Sequence, residues 1–128
     1  MPVAIIYGVP SAVGQDRLER LVSQMKAHIS IALGLHANEV SVFVQADLVQ
    51  KGLGEELVCF VEGLFEKPER TTSVRQQVAE SALMALTSLA KDCLPQCFKA
   101  EVVVGRFNQK TDGFAVAEGS DLHVKTWV

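Results

Sequence analysis

Apolar positions alternate between short runs and helical stripes, and the alternation occurs twice along the chain. Val3 to Tyr7 is a β-branched apolar run closed by Gly8 and Pro10, which predicts a first strand. Asp16 and Glu19 have the spacing of a capping box. Around and after them, Leu18, Leu21, Val22, Met25, Ile29, Ala32 and Leu33 recur at steps of three and four. That stripe predicts an amphipathic helix, stopped at Gly34 by a left-handed turn. Val40 to Gln45 then alternates, with Val40, Val42 and Val44 on one face and Ser41, Phe43 and Gln45 on the other, which predicts a second strand.

Lys51-Gly52-Leu53-Gly54 punctuates the middle of the chain. Leu57 to about Phe65 predicts a third strand. A cap at Thr72 or Ser73 opens a second helix, whose apolar face is Val74, Val78, Ala82, Ala85, Leu86 and Leu89, with Pro95 beyond its end. Lys99 to Arg106 predicts a fourth strand, Lys110 to Gly113 a turn, and Phe114-Ala115-Val116 the start of one more short strand. The order is β-α-β twice, in halves of about 1–50 and 56–107, within a single domain over 1–117. Residues 118–128 read as a C-terminal tail, and Trp127 near its end argues that part of it docks, on a neighbouring subunit for instance. Long crossovers join parallel strands and are right-handed. The expected architecture is α/β: two β-α-β units forming a four-stranded mixed sheet with two helices on one face.

The strands carry a further implication. Val3 to Ile6, Leu57 to Val61 and Val102 to Val104 are apolar on both faces, as strands buried on both faces are. Two helices cover one face only. Covering each remaining Val or Ile is worth about 1.5–3 kcal/mol, so the open face is expected to meet other copies of the chain, in a homo-oligomer with sheets facing inward.

Composition narrows the function classes. The 128 residues carry a net charge of −3, with twelve Lys and Arg against fifteen Asp and Glu. No run of basic residues tracks a phosphate backbone, so nucleic acid is not an expected partner. No apolar run is long enough to span a membrane. The N-terminal stretch lacks the pattern of a signal peptide, and three Cys, an odd count, suit a reducing cytoplasm better than a disulfide framework. Cys93 and Cys97 flank Pro95, but no second pair or nearby His completes four ligands, so no metal is expected. Cys59 reads as core. His28, His36 and His123 are scattered, no Gly-rich phosphate loop is present, and no cofactor is implied.

Several marks together resemble the tautomerase superfamily, which includes macrophage migration inhibitory factor and the 4-oxalocrotonate tautomerase group. They are Pro2 directly after Met1, the stretch Gly34-Leu35-His36-Ala37-Asn38-Glu39-Val40-Ser41-Val42 after the first helix, the repeated β-α-β unit, and Asn108 with Gly113-Phe114 after the fourth strand. The resemblance covers roughly Pro2 to Val116. It implies a homotrimer with active sites at subunit boundaries and the N-terminal proline as catalyst. A Met before a small residue is usually removed, which would leave Pro2 as a secondary amine. A free α-amine has a pKa of about 7.7–8.0, and an apolar pocket lowers it. A neutral amine of this kind suits proton transfer beside a carbonyl.

The carboxylate-binding cations of the family are replaced here. Leu35 stands where the cytokine branch has a Lys, and Ser11 to Gly14 and Ser41 stand where the short bacterial enzymes have Arg. Arg106, with Lys67 and Arg70 before the second helix, could supply the charge from other directions. Phe65 and Phe114 fall where the family lines its pocket. Glu101 stands at the position of a Tyr donor, as either an edge residue or a pocket acid. Two readings follow. One is a keto-enol tautomerase or isomerase acting on a small unsaturated or 2-keto acid, with Pro2 as general base and Arg106, Phe65 and Phe114 holding the substrate. The other is a catalytically silent trimeric scaffold or small-molecule binding module.

Overall fold

The computed structural model describes residues 2–47, 55–119 and 123–125. Met1, the punctuation at Lys51 to Gly54 and Trp127 lie outside the described residues. The elements are β1 (Val3–Pro10), α1 (Gln15–Leu33), a 3-10 turn (Ala37–Glu39), β2 (Ser41–Asp47), β3 (Glu56–Glu62), α2 (Thr72–Cys93), β4 (Lys99–Val104), β5 (Val116–Glu118) and β6 (His123–Lys125). The four-stranded sheet has the order β2-β1-β3-β4. β1 runs parallel to β2 and β3 parallel to β4, while β1 and β3 are antiparallel. The two β-α-β halves therefore meet across the centre of one mixed sheet, the α/β architecture read from the sequence.

One face of the sheet is sealed. Ala4, Ile6 and Val9 of β1 and Leu57, Cys59 and Val61 of β3 are buried, with Val42, Val44, Val102 and Val104 packed beside them. α1 lays Leu21, Met25 and Ile29 on this face, and α2 lays Val78, Ala82, Ala85, Leu86 and Leu89. Each fully buried Leu, Ile, Met or Val contributes about 1.5–3 kcal/mol. The small Ala82 and Ala85 let α2 lie close to the sheet and to α1.

The other face is open. Strand pairing aligns Phe43, Ile5, Phe60 and Val103 in one row across all four strands. Tyr7 packs edge-on against Phe60, with ring centroids 6.0 Å apart. Phe43 and Val103 are 56% and 45% exposed. The sequence placed Phe43 opposite Val42 and Val44, and it stands there. Glu101 stands on this face too, 3.7 Å from Lys99, as a solvent-facing ion pair.

Several boundaries differ from the sequence reading. Gly14, not Asp16, is the N-cap of α1, without a side-chain bond. Asp16 lies inside the first turn, where its charge favours the positive end of the helix dipole, and Glu19 instead accepts from Gln15. Thr71, one residue before the expected cap, caps α2 by accepting from the Val74 N–H at 3.2 Å. β1 continues to Pro10 through a register shift between Ile6 and Val9. Gly8 allows this at φ 93°, and a Cβ there would collide with the Glu56 carbonyl. β3 stops at Glu62 because Gly63 takes φ 73°, and β4 stops at Val104. Pairing resumes beyond the break as a single parallel bridge between Phe65 and Phe107. Within the stretch read as a tail, His123–Lys125 pairs antiparallel with Val116–Glu118.

Candidate functional site

The register brings the candidate residues to one end of the sheet. Pro2 is buried, and its carbonyl accepts from the Ser41 N–H at 3.1 Å, which ties the start of β1 to the start of β2. Val3 lies opposite Glu62 and Ala4 opposite Val61, so Pro2 stands at the level where β3 ends. Val61 in turn lies opposite Val104, so the exit of β4 reaches the same level. Beyond it, the Phe107 N–H donates to the Leu64 carbonyl at 3.1 Å and the Glu66 N–H to the Phe107 carbonyl at 2.8 Å. These bonds hold the two exit segments side by side.

Three aromatic rings close on each other there. Phe65 and Phe114 meet edge to face with centroids 5.1 Å apart, as do Phe107 and Phe114 at 5.7 Å, whereas Phe65 and Phe107 are tilted by 40° at 5.4 Å. Edge-to-face pairs at such separations add about 0.5–1.5 kcal/mol each beyond area burial. A turn aims Phe114 back at the other two. In it, the Asn108 N–H donates to the Asp112 carboxylate and the Lys110 N–H to Asn108 Oδ1, both at 2.9 Å. Asn108 also donates from Nδ2 to Glu66 at 3.4 Å, joining the turn to the segment after β3. Sequence reasoning found Phe65 and Phe114 but not Phe107. Its only signal was an aromatic residue between Arg106 and Asn108.

Beside the rings, Glu66, Lys67, Pro68, Arg70, Thr71, Thr72, Arg75 and Arg106 line a cleft of about 480 Å³. Arg106 comes from the exit of β4, Lys67 and Arg70 from the β3–α2 connection, and Arg75 from the first turn of α2. Arg70 donates from Nη1 to the Phe65 carbonyl at 2.9 Å, and Arg75 from Nη1 to the Gly105 carbonyl at 3.0 Å. Burial lowers the pKa of Arg70 from its ordinary value; Glu69 raises it, and the neighbouring charge of Arg75 lowers it further. The cations flagged in the sequence, Lys67, Arg70 and Arg106, do share one cleft. Arg75 joins them, and as a mid-turn helical Arg it carried no sequence signal.

Other features lie elsewhere. A smaller cleft of about 250 Å³ between α1 and α2 is crossed by the Arg17–Asp92 ion pair at 2.9 Å, at the opposite end of the sheet from Pro2. Cys59 is buried in β3, and burial alone pushes its thiol up to about 12. Cys93 and Cys97 donate to separate carbonyls, those of Leu89 and Lys99. His36 belongs to the turn before β2, where its backbone N–H donates to the Glu39 carboxylate at 2.8 Å. No helix among the described residues is long and apolar enough to cross a membrane.

No family model matches the sequence, and no curated protein matches it. Solved structures do match. The chain aligns with a fused 4-OT asymmetric trimer at a TM-score of 0.67 and 16% identity, over 88% of this chain and 91% of that one. It aligns with macrophage migration inhibitory factor of Toxoplasma gondii at 0.60 and 13%, over 88% and 95%. With a macrophage migration inhibitory factor-like protein from Entamoeba histolytica the values are 0.62 and 9%, over 88% and 94%. At these identities the likeness is one of fold.

Proposed function

We propose that this chain, which has the fold of the tautomerase superfamily, is a homotrimeric keto-enol tautomerase or isomerase acting on a small unsaturated or 2-keto acid. The observation that carries the reading is the convergence of Pro2, the Phe65–Phe107–Phe114 cluster and the cationic cleft at one end of the sheet. Pro2, once freed of Met1, is the general base. An apolar pocket around the freed amine would favour its neutral form, since such a setting penalises the charged one. The amine takes a proton from the carbon beside the substrate carbonyl and returns it at the other end of the enol. Phe65 and Phe114 form the apolar wall that keeps water from the exchange, and Arg106 holds the substrate acid.

Assembly is part of the reading. The open row of Phe43, Ile5, Phe60 and Val103 supports a trimer with sheets inward. The β5–β6 hairpin supports docking on a neighbour, because a two-stranded hairpin alone is marginally stable in water.

The test uses protein whose intact mass lacks one Met. Such protein should convert a simple enol such as phenylenolpyruvate, and a Met-retaining form, whose proline nitrogen is an amide, should not. If the processed protein shows no turnover above buffer on several enol and unsaturated acids, the scaffold or binding-module reading replaces this one.

A further inference from the structure

The cleft beside the aromatic cluster holds more positive charge than a carboxylate requires. Lys67, Arg70, Arg75 and Arg106 line it, with Glu66 as the one carboxylate. The chain as a whole is net −3, yet four of its twelve Lys and Arg face this one space.

Two of the four are fixed in place. Arg70 and Arg75 each use one N–H on a backbone carbonyl, of Phe65 and of Gly105. A guanidinium has five N–H donors, so each keeps a fork free. Both tethers end on neutral carbonyls and not on carboxylates, so neither charge is matched by its tether. Arg70 is also partly desolvated; Glu69 offsets part of that cost and Arg75 adds to it, and an anion between the two guanidiniums would offset the remainder. Lys67 and Arg106 make no side-chain hydrogen bond or ion pair among the described residues, and both flank the same opening.

We propose that this cleft binds a doubly charged oxyanion of the phosphate-ester class, with Arg70 and Arg75 as a preset fork and Lys67 and Arg106 closing on it. This deepens the reading above by naming the acidic group of the ligand, and it rests on that reading only for the step from binding to turnover. Charge decides between the candidate anions. A lone carboxylate leaves most of the excess unmatched, whereas a phosphate ester carries about −1.5 to −2 near neutral pH and offers three acceptor oxygens. Guanidinium forks also match phosphate oxygens in pairs.

Calorimetric titration of the processed, full-length protein tests this, with inorganic phosphate as probe and acetate as comparison, at neutral pH and constant ionic strength. Phosphate should bind at least about tenfold more tightly than acetate, since hydrogen bonds to charged groups are each worth about that factor. Arg106→Gln and Lys67→Gln, which break no internal bond, should each weaken phosphate several-fold while circular dichroism stays unchanged. Arg70→Gln should weaken it further. Equal affinity for acetate and phosphate overturns the inference, as does phosphate binding unchanged in both Arg106→Gln and Lys67→Gln. Turnover and phosphate binding of the wild type, measured side by side, separate the two claims. Phosphate binding kept while wild-type turnover is absent refutes the proline chemistry alone. Turnover present without phosphate binding refutes this site alone.

Discussion

Replacing Val103 by Asp should split the proposed trimer into folded monomers. Val103 lies on the open face, away from the core beneath the helices, and 45% of it is exposed in the single chain. About half its side chain thus remains to be covered by a neighbour, worth roughly 1 kcal/mol. An Asp carried into that interface loses this gain and must also shed water or its charge. Neutralising it by raising its pKa from about 3.9 past 7 costs about 4 kcal/mol, at 1.36 kcal/mol per unit. Keeping it charged costs several kcal/mol by desolvation. Glu101, two residues away on the same strand face, repels it further. The sum is about 5 kcal/mol per subunit and is incurred at every copy. Light scattering after size exclusion should give three times the 13.9 kDa chain mass for the wild type and for Val103→Ala. Val103→Asp should run at the single-chain mass with an unchanged circular dichroism spectrum. A wild type that is monomeric at micromolar concentration refutes the argument, as does a Val103→Asp protein that stays trimeric.

Pro2→Ala leaves a primary amine, so turnover by the Met-free protein should fall by up to the 10²–10⁴-fold typical of a placed base without vanishing. Equal rates in wild type, Pro2→Ala and a Met-retaining form would assign the activity to another group. If Arg106 anchors the substrate acid as proposed, Arg106→Ala should raise KM with little change in kcat, because it removes binding common to ground and transition states; a fall in kcat at constant KM would contradict that proposed role. Cys59 titrates from its ordinary 9.0 in the unfolded chain to about 12 in the fold. The native state therefore keeps a proton that the unfolded chain has lost, so this contribution is intact below pH 9.0 and disappears as pH rises toward 12. Denaturant midpoints should fall over that window in the wild type and fall less in Cys59→Val, and a matching slope in both proteins would show that Cys59 is not the titrating group.

The layout of strands and helices was legible because hydrophobic periodicity is local. The step of three and four from Leu18 to Leu33, the step from Val78 to Leu89 and the alternation from Val40 to Gln45 each follow from one element meeting one apolar layer. Even the uncovered sheet face could be read, because counting faces against helices needs no coordinates. Ends were harder. Thr71 caps where Thr72 or Ser73 was expected, and Gly63 ended a strand whose apolar run continues to Phe65. In both places a backbone conformation or a single hydrogen bond outweighed side-chain pattern. The site itself needed the pairing of segments far apart in sequence. Arg75 reaches the Gly105 carbonyl thirty residues away, and Asn108 reaches Glu66 forty-two residues away. Phe107 meets Phe65 only because β3 and β4 run parallel and leave the sheet at the same end. Periodicity identifies which face of an element is buried but carries no information about which distant element lies beside it. That choice comes from the antiparallel β1–β3 seam, whose register puts Pro2, the three rings and the four cations at one end of the sheet.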